Sequence, residues 1–136
     1  MRFMLDTSAC VAVIRQKSPA ILRRLLRIEP DEICISAITL SELEYGVARS
    51  AAPERNRLTL AEFMAPLTVL PYDGIAAAFY GDVRASLESK GTPIGSLDTL
   101  IAAHALSRDL TVVTTNEREF RRVEGLRVAK WSERSG

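Results

Sequence analysis

Four carboxylates, Asp6, Glu42, Asp98 and Glu119, each follow a short apolar run or open a helix, although they are spread along the whole chain. Asp6 ends Phe3-Met4-Leu5. Glu42 lies on the first turns of the helix expected after Ile33-Cys34-Ile35-Ser36. Asp98 opens a helix from Leu97 to Ser107, and Glu119 follows Leu110-Thr111-Val112-Val113-Thr114. In an open parallel α/β sheet, ligands bind beyond the carboxyl ends of the strands, at the topological switch point. Carboxylates converging there without a basic partner repel one another unless a divalent cation sits between them. The pattern points to a metal-dependent cleft for phosphate chemistry.

Each acid also has a plainer role open to it. Asp6, followed by Thr7-Ser8, is equally well an N-cap accepting backbone N–H bonds. Glu42 alone reads as an exposed helix glutamate, but Leu40, Leu43 and Tyr45 predict a half-buried helix, where an unpaired acid is costly. Asp98 is surrounded by apolar or small residues from Pro93 to Ala105. A buried carboxylate there either neutralises, pairs or binds metal. Glu117 competes with Glu119 for the fourth place. Asn116 either caps the short helix after it or serves the acids, while Thr7, Ser8, Thr114 and Thr115 orient the acids or make turns. His104, on an alanine-rich stretch, reads as a core or interface histidine, and Trp131 as a packing anchor for the last strand.

The elements that must position these groups alternate between strand and helix. Short apolar runs at Met1–Leu5, Glu32–Ser36, Leu67–Tyr72, Leu110–Thr114 and Leu126–Ala129 predict strands. Between them, helical spacing covers Thr7–Gln16, a segment from Pro19 with Ile21, Leu22, Leu25, Leu26 and Ile28 on one face, Ser36–Ala48, Pro53–Phe63, Gly74–Ser89 and Leu97–Ser107, with a short helix at Glu117–Arg121. Such alternation predicts a parallel sheet covered by helices on both faces.

Bulk properties narrow the class. The 136 residues and 47% hydrophobic content suit a single domain over residues 1–136. No apolar run approaches a membrane span, no signal-peptide core follows Met1, and a bacterial or archaeal cytoplasm is the expected compartment. Cys10 and Cys34 lie in apolar surroundings and read as buried thiols. One histidine cannot build a His/Cys zinc site, so a hard, oxygen-liking ion such as Mg²⁺ or Mn²⁺ is expected. Net charge is +1, yet Arg23, Arg24 and Arg27 cluster, as do Arg118, Arg121 and Arg122 around Glu119. The chain has neither a G-x-x-x-x-G-K-[ST] loop nor a G-x-G-x-x-G turn after its first strand, which argues against a P-loop NTPase or a dinucleotide-binding enzyme.

Four segments together resemble the PIN-domain ribonucleases, in particular the VapC toxins of bacterial toxin–antitoxin pairs. They are Phe3 to Ser8, Ile35 to Gly46, Pro93 to Ala105 and Val112 to Phe120, in the family's order and spanning nearly the full length. The resemblance implies a PIN-like fold with a five-stranded parallel sheet flanked by helices. It implies that Asp6, Glu42 and Asp98 are the principal metal-binding and catalytic acids. Glu119 stands where relatives usually carry aspartate, and Ser8 where many carry asparagine. An ion held there would activate water and stabilise charge on the scissile phosphate, leaving a 5′-phosphate and a 3′-hydroxyl. Arg118, Arg121 and Arg122 are then candidate RNA contacts. The resemblance further implies structured RNA, foremost tRNA, as substrate, inhibition of translation, a VapB-like antitoxin, a homodimer through helices around residues 36–63, and a larger hetero-oligomer of toxin and antitoxin.

Two other functions compete. A catalytically silent PIN-like module would bind RNA or protein without cutting, but would gain nothing from mutually repelling acids. A phosphoacceptor receiver needs an acid pair after the first strand and a lysine after a late one. Asp6-Thr7-Ser8 and Thr114-Thr115-Asn116 supply neither.

Overall fold

A computed structural model of the chain describes residues 1–131, so residues 132–136 of the expected domain lie outside the described ones. Five strands, β1 (Phe3–Leu5), β2 (Ile33–Ser36), β3 (Thr68–Leu70), β4 (Thr111–Val113) and β5 (Val128–Ala129), form one sheet. Their order is β3-β2-β1-β4-β5 and every pairing is parallel. Seven helices connect them: α1 (Thr7–Ile14), α2 (Pro19–Arg27), α3 (Ala37–Ala48), α4 (Pro53–Met64), α5 (Gly74–Ser89), α6 (Ser96–Ser107) and α7 (Glu117–Phe120). The chain builds outward from β1 to β2 and β3, then returns to the other side of β1 for β4 and β5. The switch point therefore lies between β1 and β4, where Leu5 pairs with Val113.

Strand alternation divides the core in two. Met4, Cys34 and Val112 face α5, α6 and α7, while Leu5, Ile35 and Val113 face α1 to α4. Because both faces are covered, the strands read as unbroken apolar runs rather than alternating ones. The alanines of α6 matter here. Ala102, Ala103 and Ala105 are fully buried beside Ile101, so this helix packs flat against sheet and α5. That close packing fixes the height of Asp98 at its first turn.

Caps register the helices to the strand ends. Ser18, Ser36 and Asp73 accept from Ile21, Ile38 and Ala76 at the starts of α2, α3 and α5. Ser36 also meets His104 Nδ1 at 2.8 Å, linking β2 to α6 inside the core. His104 is thus a buried core residue, with Tyr72 edge-on to its ring, although its Nε2 has no hydrogen-bond partner among the described residues. Burial of the ring pushes its pKa below the usual imidazole value.

Three expectations change. The segment led by Pro19 buries Ile21, but Leu22 and Leu26 are 44% and 78% exposed, so only part of its apolar face enters the core. Tyr45 on α3 is 68% exposed, because only the Thr39, Leu43 and Val47 side of that helix meets the sheet. Trp131 is buried edge-on against Phe3 at 5.1 Å, anchoring the segment after β5 to the first strand rather than only to the last. After α1 the backbone reverses through Gln16, whose φ of 57° lies in the left-handed region. A residue with a Cβ is strained there by about 1 kcal/mol. Gln16→Gly is expected to raise stability by about 0.5 kcal/mol in a urea titration, the gain being trimmed by glycine's freedom in the unfolded chain.

Candidate active site

Asp6 leaves β1 at the switch point, its N–H donating to Val113 O across the sheet at 3.0 Å. Its side chain is 1% exposed and accepts four bonds. Ser8 Oγ lies 2.7 and 2.9 Å from its two oxygens, Ala9 N–H donates at 2.8 Å, and Thr114 Oγ1 donates at 2.6 Å. So Asp6 both caps α1 and sits in a prepared polar nest. Burial raises its pKa, the three donors oppose that shift, and the charge on Glu42 adds to it.

Thr114 follows β4 and works in both directions. Besides its bond to Asp6, its Oγ1 accepts from Asn116 N–H at 2.8 Å, while Ser8 Oγ accepts from Thr115 N–H at 3.0 Å. These bonds lace the ends of β1 and β4 together. Thr7 Oγ1 reaches over to Glu42 Oε1 at 2.5 Å, fixing the α3 carboxylate against α1.

Asp98 is where the four acids meet electrostatically. Its pKa is pushed up to about 7, chiefly by burial, then by a hydrogen bond with Glu119 and the charges of Asp6, Glu119 and Glu42. No ion pair among the described residues involves any of these acids. Among the described residues no three His, Cys, Asp or Glu side chains close on one point tightly enough to grip an ion as they stand. The structure thus assembles oxygen donors around uncompensated charge, and Asp98 holds its proton to about 7.

Glu117 and Glu119, equal by composition, have different surroundings. Glu117 pairs with Arg121 at 3.1 Å and Lys130 at 4.0 Å, whereas Glu119 bonds Asp98. Asn116 precedes α7 without a side-chain capping bond and enters the network through its backbone. Of the three arginines nearby, Arg121 is held by Glu117 and Arg122 donates to Pro93 O at 2.9 Å, bracing the loop before α6. Arg118 is exposed.

A cleft of about 480 Å³ opens over Asp6 and Asp98, walled by Ser8, Thr115, Asn116 and two residues that sequence reasoning missed, Arg15 and Lys17. The signal was available: Thr7, Val11 and Arg15 recur every four residues and so share one face of α1.

A model of the PIN domain family matches residues 3–126. A Salmonella typhimurium protein named tRNA(fMet)-specific endonuclease VapC is 47% identical over 131 residues, covering 96% of this chain and 98% of that one. This chain belongs to the VapC ribonucleases of the PIN-domain family. Solved VapC-containing complexes agree in three dimensions. A DNA-bound VapBC from Salmonella typhimurium contains a chain that superposes with a TM-score of 0.91 at 46% identity, over 96% of this chain and 98% of that one. VapBC2 from Rickettsia felis, bound to a DNA fragment from its promoter, gives 0.91 at 36% identity over 97% and 100%. The VapC fold is thus the five-stranded parallel sheet with helices on both faces that strand–helix alternation predicts, and the enzyme class is that of an RNA-cleaving hydrolase.

Proposed function

We propose that this VapC chain is the endoribonuclease toxin of a type II toxin–antitoxin pair, cutting structured RNA, foremost tRNA, and so inhibiting translation. The observation that carries this is the cleft lined by Asp6 and Asp98 at the switch point, where Glu42 and Glu119 are felt electrostatically and no described ion pair compensates the acids. Asp6, Glu42, Asp98 and Glu119 are its metal-binding and catalytic acids. The set fits a divalent cation: all donors are oxygen, no ion pair among the described residues compensates them, and burial beside the other acids raises the Asp98 pKa to about 7. Mg²⁺ is the expected ion, with Mn²⁺ as a substitute. When bound, it supplies Lewis acidity, lowering the pKa of water and neutralising charge on the phosphate.

The chain's own groups prepare that site. Ser8 and Thr114 hold the Asp6 carboxylate in one orientation, Thr7 holds Glu42, and the Asn116 N–H fixes Thr114. Such supports around metal-binding carboxylates are worth roughly 10–100-fold in affinity or activity. Ser8→Ala is expected to lower cleavage roughly ten-fold and to raise the Mn²⁺ concentration needed for half-maximal activity. Thr114 still anchors Asp6 in that variant, so the loss should stop well short of complete.

The test of the function is cleavage of total RNA by the purified chain with Mg²⁺ or Mn²⁺, against EDTA, with the new ends mapped. Discrete fragments ending in 5′-phosphates and requiring metal support it. RNA left intact under every metal condition would favour a silent RNA- or protein-binding module. The Salmonella relative's name makes tRNA the first substrate to assay. The Salmonella and Rickettsia complexes make a VapB-like antitoxin the first partner to seek. A homodimer through helices around residues 36–63, itself assembled with antitoxin, belongs to the same proposal; Tyr45 and Leu58 there are each 68% exposed.

A further inference from the structure

Of the arginines bracketing Glu119, two have surface partners within the chain, Arg121 on Glu117 and Arg122 on a backbone carbonyl. The cleft itself is different. Arg15 and Lys17 line it together with Asp6 and Asp98, are exposed, and among the described residues make no ion pair or side-chain hydrogen bond. Cations beside four uncompensated acids would be expected to swing in and pair with them. The Lys17 N–H donates to Ala12 O at 2.8 Å, Gln16 N–H donates to Val13 O at 3.0 Å, and the left-handed Gln16 turns the chain between the two cations.

Arg15 also lines a second, larger groove of about 1060 Å³ that runs from Thr7 and Glu42 between α1, α3 and α4. It stands where the two hollows join. A polyanion crossing from one to the other would pass the acids and this cation within one stretch of chain.

We propose that Arg15 and Lys17 are the substrate-positioning pair of this enzyme, gripping backbone phosphates of a single-stranded RNA segment that flank the scissile bond. The proposal rests on the endoribonuclease reading above. Free cations with no internal role, lining the same cleft as acids that themselves repel phosphate, supply an attraction for phosphate within that cleft. An exposed arginine and lysine suit phosphate rather than base edges, so they contribute affinity and register without sequence preference.

RNA binding is measured in an Asp98→Asn background, where substrate should remain uncut, and cleavage kinetics in the parent. Arg15→Ala and Lys17→Ala are each expected to weaken RNA binding roughly ten-fold at low salt, and to reduce the slope of log affinity against log salt by about 0.7 per lost contact. In cleavage, KM should rise with kcat nearly kept, and Arg15→Lys should restore the salt slope. Arg84→Ala, removing an equal charge from the Glu88 pair on α5, should change neither quantity. Unaltered affinity and slope in both variants would overturn the assignment while parental cleavage left the enzyme reading standing. An equal loss in Arg84→Ala would also overturn it, in favour of a general field effect. Loss of antitoxin binding with RNA binding intact would assign the pair to the protein partner instead. A parent that neither binds nor cuts RNA would remove the enzyme reading, and this inference with it.

Discussion

Asp98→Asn is expected to lower RNA cleavage by at least about a hundred-fold while leaving RNA binding intact or stronger. The Asp98 carboxyl is the point at which the other three acids are felt, with its pKa raised to about 7 by burial, by its bond to Glu119 and by the charges of Asp6, Glu119 and Glu42. An amide of the same shape preserves the packing of α6 but removes the negative charge that a cation would bind. Metal-ion catalysis supplies several kcal/mol of transition-state stabilisation, and each 1.36 kcal/mol is about ten-fold in rate, so loss of one principal ligand is worth about two orders of magnitude or more. RNA is itself an anion, so one less carboxylate in the cleft should help rather than hinder its approach. The check is single-turnover cleavage of tRNA with Mn²⁺ beside a filter-binding measurement on the same preparation. Undiminished cleavage would remove Asp98 from the chemistry altogether.

The fold was legible because α/β proteins announce themselves locally. The strand at Ile33–Ser36 and helix at Ala37–Ala48 fall almost where apolar runs and helical spacing put them, and Pro19 and Pro53 stand at the starts of α2 and α4. The acids were legible for a related reason: a carboxylate at a strand end or in an apolar helix has few structural excuses. What sequence does not carry is which of two adjacent side chains turns inward. Glu117 and Glu119 have the same charge and nearly the same neighbours, and only the path of α7 sends one to Arg121 and the other to Asp98. The same holds for Arg121 and Arg122, since clustering says nothing of what each guanidinium holds. Arg15 could be read from its four-residue spacing with Thr7 and Val11, whereas Lys17 was hidden because the left-handed turn at Gln16 before it has no glycine to mark it.

The metal-free protein is expected to lose stability as pH rises from about 4 to about 7, and divalent metal to restore it. The unfolded chain releases the Asp98 proton near 3.8, whereas the folded chain keeps it to about 7. Between those values the native state binds more protons, so raising the pH favours unfolding; the full stability is present below 3.8 and is lost by about 7. Full linkage would make the loss about 4 kcal/mol, and solvent screening of a half-exposed carboxyl reduces it to about 2 kcal/mol. Buried Asp6, whose pKa is also raised, acts in the same direction. His104 acts in the opposite one: its lowered pKa gives stability that is present above about 6.5 and lost as pH falls below it. Comparing the parent with Asp98→Asn separates these contributions, because His104 is common to both. Urea titrations in EDTA should show the two proteins diverging from about pH 4 upward, with the asparagine variant the more stable at pH 8. Adding Mn²⁺ at pH 8 should stabilise the parent far more than the variant, since a cation bound to N but not U pulls folding by mass action. Parallel curves in EDTA would mean that the acids do not burden one another in the folded chain, and that the site has no electrostatic need of a metal.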